Sequence, residues 1–339
     1  MAWYNTTGML SDTVISSRIR LARNISGYPF PSRLDANGAN EIIEKVSAPL
    51  EGAGFRRINF SDISSVMATS YVERHYVSPE FATMETPRAL LLQESSGTAV
   101  MVCEEDHLRI QSILSGLSLE EAYKNASAIE KRLDADFDFS YSDSLGYLTH
   151  CPTNLGTGMR ASVMMFLPAL SRSGHIASLA AQLAKLGLAM RGLFGEGSGS
   201  AGCMYQISNQ ITLGVTESEI LGKLAEAVRQ ISESEMQARK SIGEDALDGL
   251  TDRVARSMGI LKYAHMISTE EFIKLFCDVR LGISLGLVSG ITYEQLGTLL
   301  VEVMPATLTL SSESTPKGET ARDKLRAVRI KAVLDAANG

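Results

Sequence analysis

Apolar and polar positions change rhythm about two-thirds of the way along the chain. In the first part, residues 90–93 are Leu-Leu-Leu-Gln. An Glu94-Ser95-Ser96-Gly97 turn follows, and residues 98–103 are mostly apolar again, which predicts a β-hairpin. Residues 160–167 and 204–213 predict further strands, the second alternating through Tyr205, Ile207 and Ile211. Helices lie between them. Ser118 with Glu121, and Thr216 with Glu219, are spaced as capping boxes ahead of amphipathic runs, and residues 171–185 predict a helix packed on a sheet. Beyond about residue 216 the strand signals nearly vanish. Ser268 with Glu271 and Thr292 with Gln295 open two more helices, residues 248–265 and 320–337 predict two others, and the Ser/Thr-rich stretch 307–318 with Pro316 predicts a loop. The pattern predicts two domains, 1–235 with a mixed sheet-and-helix composition and 236–339 all helical, and shows no internal repeat.

Composition narrows the function classes. With 339 residues and 45% apolar positions, the chain can bury a sizeable core. A formal charge of -7 argues against general nucleic-acid binding, which needs surplus Lys and Arg to displace counterions, and is compatible with basic protein substrates. No apolar run approaches the roughly 18 residues of a membrane span, and the first residues lack a basic-then-apolar leader. Cys103, Cys151, Cys203 and Cys277 are scattered without a CxxC pair, so reduced thiols in a cytoplasmic protein are expected, with no protein metal site.

Two phosphate-binding motifs are excluded at once. There is no GxxxxGK[ST], and no HRD or DFG set. Gly197, Gly199 and Gly202 match GxGxxG, but a strand-like segment follows where a dinucleotide fingerprint needs a helix. What remains is the placement of arginines. Arg18 and Arg20 alternate within Ser16-Ser17-Arg18-Ile19-Arg20, so in a strand both share one face. Arg109 follows the acidic turn Glu104-Glu105-Asp106-His107, Arg160 follows Gly156-Thr157-Gly158, and Arg191 precedes a glycine turn. Any one of these is what a solvated surface arginine looks like; as a set, their planar forks suit triphosphate oxygens. From spacing alone both readings stand.

Glu105 and Glu196 sit in turns, where glutamates are commonly solvent-facing. A guanidinium, with a pKa above about 12, cannot lose its proton before attacking an electrophile. A carboxylate pair could align it and take the proton as the new bond forms. Cys151 opens a Pro- and Gly-containing loop near basic residues, a setting that favours thiolate; a covalent nucleophile is conceivable, but with no Cys-His-Asn arrangement legible a supporting thiolate is the better reading.

At these residues the chain resembles the guanidino (phosphagen) kinase family. The resemblance rests on residues 16–23, 104–109, 151–163, 191–196 and 205–210, which run in family order. Residues 207–214, the Gly195-Glu196-Gly197-Ser198 turn and Arg322-Asp323-Lys324-Leu325-Arg326-Ala327 are similar to the protein-arginine kinase branch, although Gly199-Ser200 departs from its pattern. Members acting on small substrates carry a helical N-terminal domain, and only a short segment precedes Ser16 here. By resemblance that implies a large, protein-borne substrate.

The resemblance implies an α+β fold, an antiparallel sheet flanked by helices and followed by an all-helical C-terminal domain. It implies ATP binding along Ser16, Ser17, Arg18, Ile19 and Arg20, at His75 and Arg109, along Arg160, Ala161, Ser162, Val163 and Met164, and along Arg191, Gly192, Leu193, Phe194, Gly195 and Glu196. Glu105 and Glu196 are implied as the catalytic carboxylates with Cys151 in the same pocket. Arg322, Asp323, Lys324, Leu325, Arg326 and Ala327 are implied as an allosteric phosphoarginine site, although from the residues alone this run is a charged helix face. ATP with Mg²⁺, arginine-bearing proteins, a zinc-containing activator, a Clp-type protease and self-association into a dimer or larger assembly complete the expectation. The rivals are a free-arginine kinase and a non-catalytic adaptor.

Overall fold

In a computed structural model, the described residues are 2–192, 202–312, 316 and 318–335. Strands β1 (Val14–Arg23), β2 (Arg56–Asn59), β3 (Ala89–Gln93), β4 (Thr98–Val102) and β5 (Leu108–Ser115) form most of one sheet. After a short hairpin of β6 (Tyr141–Ser142) and β7 (Gly146–Tyr147), β8 (Met159–Phe166), β9 (Leu188–Gly192) and β10 (Met204–Asn209) complete it. The order is β2-β3-β4-β5-β1-β8-β10-β9, antiparallel throughout, so β1 is central and pairs with β5 and β8.

The helices are α1 (Ala36–Glu51), α2 (Ser65–Glu73), α3 (Pro79–Thr83), α4 (Leu119–Asp134), α5 (Pro168–Arg172), α6 (Ile176–Lys185), α7 (Glu217–Lys240), α8 (Glu244–Tyr263), α9 (Thr269–Ser284), α10 (Tyr293–Glu302), α11 (Pro305–Leu310) and α12 (Glu319–Asp335). One sheet face is covered by α1, α4 and α7. Ile42 and Val46, Ala122 and Ala126, and Leu224 and Val228 from these helices meet Ile19, Leu21, Ile110, Val163 and Ile207 from the strands. Each fully buried aliphatic side chain contributes roughly 1.5–3 kcal/mol. That burial decides which face of β1 turns inward, and therefore where its arginines go.

Helices α8, α9, α10 and α12 build a second core through Val254, Phe272, Phe276, Leu296 and Ile330, into which the sheet inserts Phe166 and Met204. The change from sheet to all-helical structure occurs along α7, which runs unbroken through residue 235. At that position buried Glu235 accepts the amides of Ala169 and Leu170 at 3.0 and 2.9 Å and pairs with Arg239 at 2.7 Å.

Several local expectations are corrected. Ser118 precedes α4 but does not cap it with its side chain; its hydroxyl donates to the Ser115 carbonyl at 2.9 Å. Residues 171–185 are not one helix, because Gly174 at φ 74 breaks α5 from α6. Strand β10 stops at Asn209 rather than 213. The stretch expected as a loop from 307 begins inside α11. The boxes at Thr216 and Thr292 form in full, each side chain and its partner three residues on closing the helix start.

Candidate active site

Register places the arginines. Arg20 on β1 stands opposite Arg160 on β8, Ala22 opposite Arg109 on β5, and Gln206 on β10 opposite Arg191 on β9. Because side chains alternate along a strand, Arg18, Arg20, Arg109, Arg160 and Arg191 all project from the sheet face that Ile19 and Leu21 leave. Like charges opposed across strands destabilise a sheet, so nothing about folding alone rewards this arrangement.

Arg18 donates to Gln206 Oε1 at 3.0 Å, and buried Nε atoms of Arg20 and Arg160 have no partner among the described residues. Burial, then the Arg109 and Arg160 charges, push Arg18 down to about 10. Burial first and neighbouring arginines second depress Arg20 well below its ordinary value and also lower Arg160. Beside them the backbone carbonyl of His75, at a left-handed φ of 65, accepts a hydrogen bond from Gln111 Nε2 at 2.8 Å, and the His75 ring lies 5.2 Å from that of Trp3. Burial, then Arg18, push His75 down to about 3, which keeps it neutral. Desolvated cations whose arginine neighbours outweigh the nearby carboxylates make a site for a polyanion.

The acid groups come from a tight turn after β4. Cys103, at φ 61, donates its amide to the His107 carbonyl at 2.8 Å, and the Glu104 amide reaches the Asp106 carbonyl at 3.1 Å. The turn sends Glu104 inward and leaves the Glu105 side chain 36% exposed. Arg109 forks between them, with Nη1 2.8 Å from Glu104 and Nη2 3.0 Å from Glu105. Burial raises the Glu104 carboxyl, opposed by Arg109 and by the hydroxyl of Ser78.

Cys151 Sγ lies 3.1 Å from Thr153 Oγ1, in a loop pinned to β1 where the Ala22 amide donates to the Gly158 carbonyl at 2.8 Å. Gly158 is required there: its φ is 61, and a Cβ would sit 2.7 Å from the Ala22 oxygen.

Arg20, Arg109, Arg160, Glu105 and Cys151 line one cavity of about 270 Å³. Arg18 and His75 line an adjoining crevice with Ser16, Ser162 and Met164. Other expected nucleotide residues do not reach it with their side chains. Ile19, Ala161 and Val163 are fully buried on the helix-covered face, and Ser17 donates to the Gly116 carbonyl at 2.8 Å. Arg191 and Gly192 stand on edge strand β9, Arg191 exposed, and Leu193, Phe194, Gly195 and Glu196 lie outside the described residues. A larger hollow of about 860 Å³, beyond the same loop, holds none of the expected residues.

The C-terminal cluster lines neither the cavity nor the crevice beside it. Arg326 is 1% exposed, and its guanidinium donates to the carbonyls of Val303 and Ile267, to Thr269 Oγ1 and to Asp323. Ala327 is buried beside it, while Arg322, Asp323 and Leu325 are partly exposed and Lys324 fully so.

Sequence reasoning missed Gln206, which holds Arg18, and Trp3, which packs on His75 from the far end of the chain. Glu104 was legible only as part of an acidic turn. Its burial follows from the backbone conformation of Cys103.

Residues 39–238 match the family model of the ATP:guanido phosphotransferase C-terminal catalytic domain, and residues 248–339 match that of the protein-arginine kinase McsB C-terminal domain. The protein-arginine kinase of Pelotomaculum thermopropionicum is 40% identical over 314 residues, 91% of this chain and 88% of that one. The protein-arginine kinase of Symbiobacterium thermophilum is 41% identical over 348 residues, 98% of this chain and 96% of that one. Among solved structures, lombricine kinase aligns with TM-score 0.58 and 26% identity over 70% of each chain. The duplicated taurocyamine kinase of Schistosoma mansoni, solved with transition-state analogue components, aligns with TM-score 0.57 and 27% identity. That alignment covers 69% of this chain, which spans about a third of the other's length, 34%. The chain therefore belongs to the ATP:guanido phosphotransferase family, in its protein-arginine kinase branch.

Proposed function

We propose that this chain transfers the γ-phosphoryl of ATP to the guanidinium of arginine side chains in proteins. The observation that carries the reading is the shared cavity: three arginines, a carboxylate and a thiol on separate elements open into one space. Arg18, Arg20, Arg109 and Arg160 neutralise and align the phosphates, which supplies most of what phosphoryl transfer needs. Arg109 is shared between two carboxylates. Phosphate oxygens compete for that fork, and a Glu105 oxygen is then free to accept an N–H of the incoming guanidinium. The acceptor nitrogen bonds to the γ-phosphorus, the bond to the bridging oxygen breaks toward ADP, and Glu105 takes the proton. Glu196 is its partner on the guanidinium, and Cys151 lines the acceptor side. Among the described residues no group of three His, Cys, Asp or Glu could hold a metal, and the cavity's carboxylate, Glu105, is engaged by Arg109. The residues therefore suit a Mg²⁺ carried by the nucleotide, where it would neutralise phosphate charge.

The cavity's lip favours a protein-borne acceptor: Thr153 is exposed and Glu105 partly so. Incubation with ATP and either casein or free arginine, followed by mass spectrometry at neutral pH, tests this. Acid-labile phosphoarginine on casein is expected. Modification of free arginine alone would indicate a metabolite kinase, and absence of ATP turnover an adaptor.

On the same reading, residues 322–327 sense phosphoarginine. With Arg326 engaged internally, Arg322, Asp323 and Lys324 offer the accessible charges, and Arg326 sets their helix. The mark directs substrates to a Clp-type protease in the cytoplasm, a zinc-containing protein activates the kinase, and the helical domain mediates self-association. Family resemblance is what supports these four readings.

A further inference from the structure

Two catalytic groups lie on separate loops, and a third carboxylate joins those loops. Asp106 is 1% exposed. Its Oδ1 accepts two donors at 2.7 Å: the amide of His150 and Nδ2 of Asn24. Asp106 directly follows Glu105, and His150 directly precedes Cys151. Asn24, also 1% exposed, completes the junction: its Nδ2 also reaches the Leu148 carbonyl at 3.0 Å and its Oδ1 accepts the His107 amide at 2.9 Å. The acidic turn and the thiol loop are thus both tied to the end of β1, the strand that carries Arg18 and Arg20.

We propose that Asp106 is a positioning residue that sets the distance between Glu105 and Cys151. The inference rests on the roles given to those two residues above. In a reaction governed by alignment, displacing a catalytic group by about 1 Å costs about 100-fold in rate. Three of the four nucleotide arginines, on β1 and β8, are held by strand pairing and make no contact with Asp106, and Arg109 is held by β5, so the loss of Asp106 acts on turnover more than on ATP binding.

The test compares wild type with Asp106→Ala, Asp106→Asn and Asp106→Glu. It measures kcat and KM for ATP on casein, and the rate at which iodoacetamide alkylates Cys151 in nucleotide-free protein, resolved by peptide. Asp106→Ala and Asp106→Glu are expected to lose about 100-fold in kcat, with KM for ATP within about threefold and an altered Cys151 alkylation rate. Asp106→Asn, which keeps an acceptor oxygen at the same place, is expected to recover most of both. Should Asp106→Ala fail to fold, Asp106→Glu, which keeps the charge but displaces the oxygen by a methylene, decides the matter. A folded Asp106→Glu or Asp106→Ala protein with wild-type kcat and wild-type alkylation overturns the inference, as does an equal loss of ATP affinity and kcat in all three variants. If wild type fails to modify casein, the functional reading fails instead, and the alkylation arm still judges the junction because it needs no turnover.

Discussion

Replacing Arg18 by methionine is expected to stabilise the empty protein and weaken its grip on ATP. Arg18 is brought from 12.5 to about 10 by burial and by Arg109 and Arg160. At about 1.36 kcal/mol per unit, keeping that charge in the nucleotide-free fold costs roughly 3 kcal/mol. The variant escapes this cost and forfeits one hydrogen bond to Gln206, worth about 1 kcal/mol, for a net gain of about 2 kcal/mol. Unfolding entropy scales at about 2.1 cal/mol/K per residue, so over 339 residues the midpoint should rise by about 3 °C. With ADP or ATP present most of that lead is lost. Losing one charge-assisted phosphate contact weakens binding about tenfold to a hundredfold. At ligand a hundred times the wild-type Kd, wild type gains about 2.7 kcal/mol and the variant only about 0.4–1.4 kcal/mol. Scanning calorimetry with and without nucleotide reads both quantities. A variant that melts below wild type when empty, yet shows the full nucleotide shift, refutes the claim that Arg18 is kept for an anion.

Other expectations follow from the same geometry. His75, pushed down to about 3 against an unfolded value near 6.5, is neutral in the fold, so the unfolded chain binds more protons between those values. Its contribution is complete above about pH 6.5 and is lost as pH falls toward 3. Denaturant midpoints for wild type and His75→Gln should differ in slope over that window and run parallel above pH 7. Glu105→Gln should lower kcat by about 10²–10⁴-fold with ATP binding by calorimetry nearly unchanged; equal loss of both would make Glu105 a binding residue. Arg326→Ala leaves the carbonyls of Val303 and Ile267 without their donor in a buried site. It should cost about 3–5 kcal/mol by denaturant unfolding, and wild-type stability would show that the helical domain does not depend on this guanidinium.

How much of this was legible in the sequence depended on distance along the chain. The alternation of Arg18 and Arg20 against Ile19 and Leu21 could be read directly, because period two is a local property and one face had to be buried. Bringing Arg109 and Arg160 to the same cavity needed the register of β1 with β5 and β8, which no local pattern states. There the family resemblance, not periodicity, supplied the expectation. Cores and caps divide in the same way. The boxes at Thr216 and Thr292 involve neighbours three residues apart and formed as read. Helix α11 was missed because its first turn is satisfied from afar: the Glu73 carboxylate accepts the Ala306 and Thr307 amides at 2.9 and 2.7 Å. The side chains of Ile19, Ala161 and Val163 are buried on the helix-covered face, a difference that motif membership does not state because a motif does not distinguish the two faces of a strand. Asn24 and Asp106 carry no legible signal at all; their meeting depends on where the two loops fold back.

Nucleotide phosphates and an acceptor guanidinium are expected to meet in one cavity. A structure of the protein with Mg-ADP and an arginine-containing peptide tests it most directly. The expected result has the phosphates among Arg18, Arg20, Arg109 and Arg160, with the peptide's guanidinium between Glu105 and Cys151 and pointing toward the terminal phosphate. Nucleotide bound away from those four arginines, or a guanidinium that avoids Glu105, would contradict it.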